Sequence, residues 1–240
     1  MGENPKIIMG LYKYIRHGKF YRTNYKKVLE EVKDFLKFNN IPENSSLEFL
    51  AGDPESADIL EKLRLKVGYL FDESELPIKV RRNKAHFMKH YMIIRSLEKH
   101  KKILWIDWDN VILKWPDEDF WRYCGHLNTP KFIYIPNYWA VVNCGVCYVN
   151  VEWKNSMEKG LELVEEPNDE LIWKKILPDN VTGREEFWLG SKAINVWNLD
   201  DINLINENTY FAHVRTFEFY KPIIEHIIKL RGDKNETYRF

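Results

Sequence analysis

The segment Lys102–Leu113, KILWIDWDNVIL, constrains the fold more than any other stretch of the chain. Its apolar half reads as a central strand of an α/β sheet, where both faces are covered and the run need not alternate. Two carboxylates then follow at Asp107 and Asp109. Burying an unpaired charge is costly, so such residues belong at the strand's end and need a partner. Residues two apart on a strand face the same side. A divalent cation with oxygen ligands is one way to satisfy both, and pairing with Lys or Arg or capping a loop is another. In open α/β sheets ligands bind at the carboxyl ends of strands, which is where this pair falls.

The preceding sequence supplies the other layers. Lys6–Tyr14 reads as a first strand and Ser46–Ala51 as a second. Asn24–Asn39 carries Val28, Leu29, Val32, Phe35 and Leu36 at helical spacing, with Asn24 as N-cap. Asp53–Lys66, with Pro54 near its start, and Asn83–Lys99 read as helices. The order β-α-β-α-α-β predicts a central mixed, mostly parallel sheet flanked by helices. Beyond it the pattern predicts strands over Phe132–Pro136, Tyr138–Val151, Leu204–Ile205 and Tyr210–His213. It predicts helices over Glu152–Leu163, Asp169–Leu177, Glu185–Ala193 and Tyr220–Leu230. No linker divides the 240 residues, so one domain is expected, with a half of about 1–113 and a second of about 114–240.

Composition narrows the partners. Lys and Arg total 36 and Asp and Glu total 36, so there is no basic excess to neutralise a phosphate backbone, and a general nucleic-acid binder is not expected. No apolar run approaches the ~18 residues of a membrane span, and the first residues lack a signal-peptide layout. Three cysteines (Cys124, Cys144 and Cys147) make no disulfide framework. Cys144 and Cys147 would point to opposite faces of a strand, as expected of buried thiols in a reduced cytoplasmic protein.

The stretch LEKHKKILWIDWDNVILKWPDEDFW resembles the D-x-D region of nucleotide-sugar-dependent glycosyltransferases of the GT-A fold. The resemblance implies a Rossmann-like single domain in which Asp107 and Asp109 hold Mn²⁺ or Mg²⁺ on the diphosphate of a nucleoside diphosphate sugar. Asp107 would lie towards the ribose, Trp108 would lie among the donor contacts, and Asp109 would be the firmer metal ligand. Three later segments are similar to that family in the right order. NCGVCYVN places Asn143 at the donor sugar, with Gly145 allowing close backbone approach. REEFWL offers Glu185 or Glu186 to orient or deprotonate the acceptor hydroxyl of a glycan or other acceptor. YFAHVRTFEFYKP offers His213 as a third metal ligand, although Arg215, Thr216 and Phe217 stand where the family has a Gly, and no Trp follows Pro222.

By the same resemblance, Gly10, Leu11 and Tyr12 would form the nucleotide shelf, with Tyr12 stacking on the base. The basic run Lys79–Lys89 would put Arg82, Lys84 or Lys89 on the diphosphate. Two other functions remain open. Asp107-Trp108-Asp109-Asn110-Val111 also fits the first motif of haloacid-dehalogenase-type phosphohydrolases, with Asp107 as nucleophile. A non-catalytic sugar- or nucleotide-binding protein is the other, favoured if Glu185 and Glu186 do not line the cleft opposite the D-x-D. Donor base, sugar, acceptor and stereochemical course are not legible in the sequence.

Overall fold

The computed structural model describes residues 5–13, 15–16, 19–20, 25–42, 45–133, 142–165, 169–178, 184–214 and 217–231. In chain order the elements are β1 (Lys6–Leu11), β2 (Ile15–Arg16), β3 (Lys19–Phe20), α1 (Tyr25–Phe38), β4 (Leu47–Ala51), α2 (Pro54–Lys62), β5 (Val67–Leu70), α3 (Ile78–Arg82) and α4 (Lys84–Leu97). There follow β6 (Lys102–Ile106), β7 (Asn110–Ile112), α5 (Glu118–Gly125), β8 (Lys131–Ile133), β9 (Asn143–Asn150), α6 (Lys154–Leu163), α7 (Asp169–Ile176), β10 (Ala193–Val196), β11 (Phe211–Val214) and α8 (Tyr220–Arg231).

Six strands form the main sheet in the order β5-β4-β1-β6-β9-β8. The first four are parallel, and β9 runs antiparallel to both β6 and β8. Alternation along the strands divides the core. Ile8, Leu50, Ile103, Trp105 and Cys147 face one side, with Met88 and Met92 of α4 and Trp173 of α7. Ile7, Met9, Leu104, Ile106 and Tyr148 face the other, with Val32 and Phe35 of α1, Leu60 of α2 and Phe120 of α5. This two-sided burial explains why β1, β6 and β9 read as unbroken apolar runs. A second sheet, β10-β11-β7, packs on α8 through Val111, Val196, Ala212 and Ile224.

Local chemistry sets several boundaries. Asp53 caps α2 by accepting from the Ser56 amide at 2.9 Å, with Pro54 at the first helical position, and Asp117 caps α5 from the Phe120 amide at 3.0 Å. Helix α2 stops at Lys62, four residues short of the expected end. Arg64 turns left-handed there (φ 59°), and the chain re-enters the sheet as β5, a strand the pattern did not show.

Three further expectations need correction. The run Lys102–Leu113 is two strands: β6 lies in the main sheet and β7 in the second, with the carboxylates at the crossing. Glu185–Ala193 is not a helix but two short 3₁₀ turns, Glu185–Phe187 and Gly190–Lys192, followed by β10. Gly190, at φ 55°, breaks the run. Leu204 closes a 3₁₀ helix from Leu199 instead of opening a strand. The first strand ends at Leu11. The expected cap Asn24, Arg215 and Thr216, and the strand positions within 134–141, lie outside the described residues.

Candidate active site

The two carboxylates stand where one sheet hands the chain to the other. The Asp107 amide still bonds to the β9 backbone, at Gly145 O, 2.8 Å, and the Asp109 carbonyl accepts from the Val214 amide at the end of β11, 2.8 Å. The D-x-D turn is therefore clamped between both sheets. Asn110 sits beneath it fully buried, donating through Nδ2 to Asp107 O (2.9 Å) and Gly145 O (3.1 Å). Asn39 in turn donates to Asn110 O at 2.9 Å and accepts from the Ile112 amide at 2.5 Å, fixing the end of α1 to β7. Sequence reasoning passed over Asn39 in this role and met Asn110 only within the alternative phosphohydrolase motif. The available signal was a polar residue inside the apolar run of β7.

The carboxylates are not equivalent. Asp107 is the more buried, and both its oxygens accept hydrogen bonds, Oδ1 from Trp105 Nε1 at 2.6 Å and Oδ2 from Lys89 Nζ at 2.5 Å. Burial and the neighbouring Asp109 raise its pKa, against the lowering pull of Lys89. Asp109 is half-exposed, and its Oδ1 lies 3.2 Å from His213 Nε2. Burial would raise Asp109, but the attraction and hydrogen bond of His213 outweigh it and leave the pKa below the usual carboxylate range. Burial would likewise lower His213, and Asp109 outweighs it, so the imidazole titrates above its ordinary range.

One ligand atom from each of Asp107, Asp109 and His213 lies within 4.8 Å of the others. Two hard carboxylate donors with one imidazole suit a divalent cation of the Mn²⁺ class. Gly145 makes the third donor possible: a Cβ there would stand 2.4 Å from His213 Cδ2 and 2.6 Å from Nε2, so any other residue would push the imidazole out. His213 Nδ1 is 2.7 Å from Asn195 Oδ1, its direct partner in the β10–β11 register and a residue the sequence did not single out.

The other expected residues divide. Lys89 joins the cluster, its ammonium between Asp107 and Cys144 O. Asn143 lies at the same end of β9, with Oδ1 accepting from the Gly145 amide at 2.7 Å. Trp108 turns to the opposite side of the motif, stacks on Phe49 with 5.7 Å between centroids, and donates to Gly10 O at 2.7 Å. Gly10 has a packing reason to be glycine, since a Cβ would meet Trp105 Cη2 at 2.4 Å and Met92 Sδ at 2.5 Å. Leu11 is buried in the core, its carbonyl taken by the Gly52 amide. Tyr12 is also buried, with its Cβ beside Gly52, so its ring would have to leave that packing to stack on a base.

Lys84 is fully buried, and its ammonium is held by Gly52 O at 2.9 Å and Glu73 at 2.6 Å. The structure thus commits it to the framework and not to an open anion site. Arg82 is exposed on α3.

Glu185 and Glu186 are not brought to the D-x-D. Their turn leads into a parallel bridge between Trp188 and Phe132 on the outer side of β8. From β6 that is three strand spacings, roughly 14 Å. The offset along the strands adds to this. Glu186 O accepts from Thr129 and Lys131, and Phe187 packs on Trp153 just past the end of β9. Those contacts mark the amino end of β8, whereas Asp107 lies at the carboxyl end of β6. The Glu186 carboxylate is paired with Arg184, and Glu185 is exposed. The expected place of this pair opposite the D-x-D is corrected accordingly.

No protein-family sequence model matches the chain, and no curated protein matches it in sequence. Solved structures do match. One is a glycosyltransferase involved in glycosylation of the major capsid of PBCV-1, at 14% identity and TM-score 0.51, covering 92% of this chain and 99% of that one. Mouse xyloside xylosyltransferase 1 matches at 10% identity and TM-score 0.50, covering 87% and 97%. The WbbM bifunctional glycosyltransferase matches at 11% identity and TM-score 0.51, covering 96% of this chain and 50% of that one. The chain has the GT-A-type glycosyltransferase fold, with its carboxylate pair at the carboxyl end of the central strand. Among the described residues no helix is long and apolar enough to cross a membrane.

Proposed function

We propose that this protein is a metal-dependent glycosyltransferase that moves a sugar from a nucleoside diphosphate sugar to an acceptor hydroxyl. The observation that carries the reading is the convergence of Asp107, Asp109 and His213 within 4.8 Å at the carboxyl end of β6. Asp109 and His213, with Asp107 behind them, would hold Mn²⁺ or Mg²⁺. A cation so held supplies positive charge where a diphosphate leaving group develops negative charge. Lys89 adds a fixed cation on the same side and keeps Asp107 oriented. Trp105 and Asn110 hold the motif rigid, so little reorganisation is needed when charge develops. Asn143, at the same end of β9, would meet sugar hydroxyls.

An inverting transfer needs an acceptor-side base, and Glu185 and Glu186 do not supply it from the far edge of the sheet. A retaining transfer needs none. That same displacement favours a second reading, a protein that binds the nucleotide sugar without turning it over.

The test is a thermal-shift screen against UDP-, GDP-, CMP- and dTDP-sugars, each with Mn²⁺ and with EDTA. It is followed by assay of nucleotide release in the presence of glycan acceptors. A ligand at a hundred times its dissociation constant adds about 2.7 kcal/mol to stability. Metal-dependent stabilisation by one nucleotide sugar, with release of the nucleotide, supports the transferase. Stabilisation without release supports binding alone. Stabilisation only by Mg²⁺ with BeF₃⁻ would instead assign Asp107 as a phosphohydrolase nucleophile.

A further inference from the structure

We infer that Asn195 is a positioning residue that sets the tautomer of His213 and so makes its Nε2 available as a ligand. The inference rests on the reading of Asp109 and His213 as a metal site. His213 is held from three directions. Gly145 leaves room for the Cδ2–Nε2 edge of the ring, Asp109 Oδ1 faces Nε2 at 3.2 Å, and Asn195 Oδ1 faces Nδ1 at 2.7 Å. An amide oxygen only accepts, so Nδ1 must carry the proton in that contact. A neutral imidazole protonated at Nδ1 has its lone pair on Nε2, the nitrogen that faces the carboxylates. In the metal-free ring Nε2 also faces an acceptor, Asp109 Oδ1, and an imidazolium donates to both partners. With Asn195 holding the Nδ1 proton, the proton a cation displaces is the one on Nε2, whereas the opposite neutral tautomer would leave no electron pair there.

The placement of Asn195 supports this role over a packing one. Among the described residues strand β10 is an edge of the second sheet, and Asn195 is only partly buried there. Its bond to His213 is the one hydrogen bond its side chain makes among the described residues. Its neighbours Ile194 and Val196 pack on the core around α8, so the strand is held in register without the amide. The parallel pairing Asn195↔His213 puts the two side chains on the same face. Partners that fix a ligating imidazole through its other nitrogen commonly control metal affinity by about 10- to 100-fold.

Two measurements test it. The first leaves Asn195 in place: long-range ¹H–¹⁵N correlation spectra of the metal-free protein at alkaline pH, with the His213 ring assigned by its loss in His213→Asn. Protonation at Nδ1 is expected, and protonation at Nε2 overturns the proposal. The second is calorimetric titration with Mn²⁺. Asn195→Leu should weaken binding by about 10- to 100-fold with the melting temperature nearly unchanged. Asn195→Asp, which can only accept, should keep the wild-type tautomer and bind at least as tightly as wild type. Unchanged affinity in Asn195→Leu, or weakened affinity in Asn195→Asp, overturns the positioning role while leaving the metal site standing. Failure of the wild-type protein to bind Mn²⁺ sinks the metal reading, and this proposal with it.

Discussion

Two acidic pairs stand out in this chain, Asp107/Asp109 and Glu185/Glu186, and the fold treats them in opposite ways. The first pair lies at the carboxyl end of the central strand, where an imidazole from another sheet and a lysine from α4 converge on it. The second lies past the outer strand at the amino end of the sheet, where one member pairs with its near neighbour Arg184 and the other faces water. A carboxylate in solvent is inexpensive and carries little information. A carboxylate held near another, at the edge of an apolar core, persists only because surrounding groups offset its cost. Environment separates the pairs, not residue type.

Substitutions should widen that contrast. The largest effect is expected for Asp109→Ala, which removes the half-exposed carboxylate proposed to bind the metal. Titration calorimetry should show Mn²⁺ affinity falling by more than the about 100-fold that supporting residues command. If Asp109→Ala keeps metal-dependent donor binding, the first pair has no claim over the second. Next comes Gly145→Ala. Its methyl group would occupy the place of the His213 ring edge, so Mn²⁺ binding should weaken by about 10-fold or more. Unaltered binding would show that His213 is not a ligand.

The pH dependence of the metal-free protein should be smaller and has a definite sign. His213 has a folded pKa above its unfolded value of 6.5, so its contribution is full below that value and is lost as pH rises through the folded pKa. Asp109 has a folded pKa below 3.8, so its contribution is present above 3.8 and is lost as pH falls through the folded value. As pH rises from 6.5, melting temperatures should therefore fall more in wild type than in His213→Asn. Mn²⁺ should remove that decline, because ligation requires the deprotonated imidazole. The smallest effect is expected at the second pair. Glu185→Gln and Glu186→Gln should each leave donor binding and nucleotide release within about twofold, the scale of an ordinary surface change. A loss of turnover in either variant would return that pair to the chemistry.

The same contrast marks what could be read in advance. Strands β1, β4 and β6 and helices α2, α4 and α8 were legible because buried faces impose periodicity on local sequence. The D-x-D was legible because charges rarely interrupt such a run. The region from 185 to 205 was misread, since the short apolar cluster at Phe187, Trp188 and Leu189 fits a helix as well as the edge-hugging turns it forms. Lys84 and Lys89 show the limit most clearly. Both lie on α4 and both are buried cations in one basic run, but one closes a framework ion pair with Glu73 and the other reaches Asp107. Five residues along a helix turn a side chain well away from its starting face, and nothing local says what waits there.

By itself, then, the sequence determined that a carboxylate pair must stand at the end of a central strand, with helices on both faces of the sheet. Those are consequences of burial and of the cost of charge, and they are written in neighbouring residues. Only the tertiary structure decided which groups meet the pair. His213 arrives from β11 more than a hundred residues later, Gly145 clears its path and Asn195 faces its other nitrogen. Those contacts depend on the register between strands of two sheets, a relation that exists only once the chain has folded.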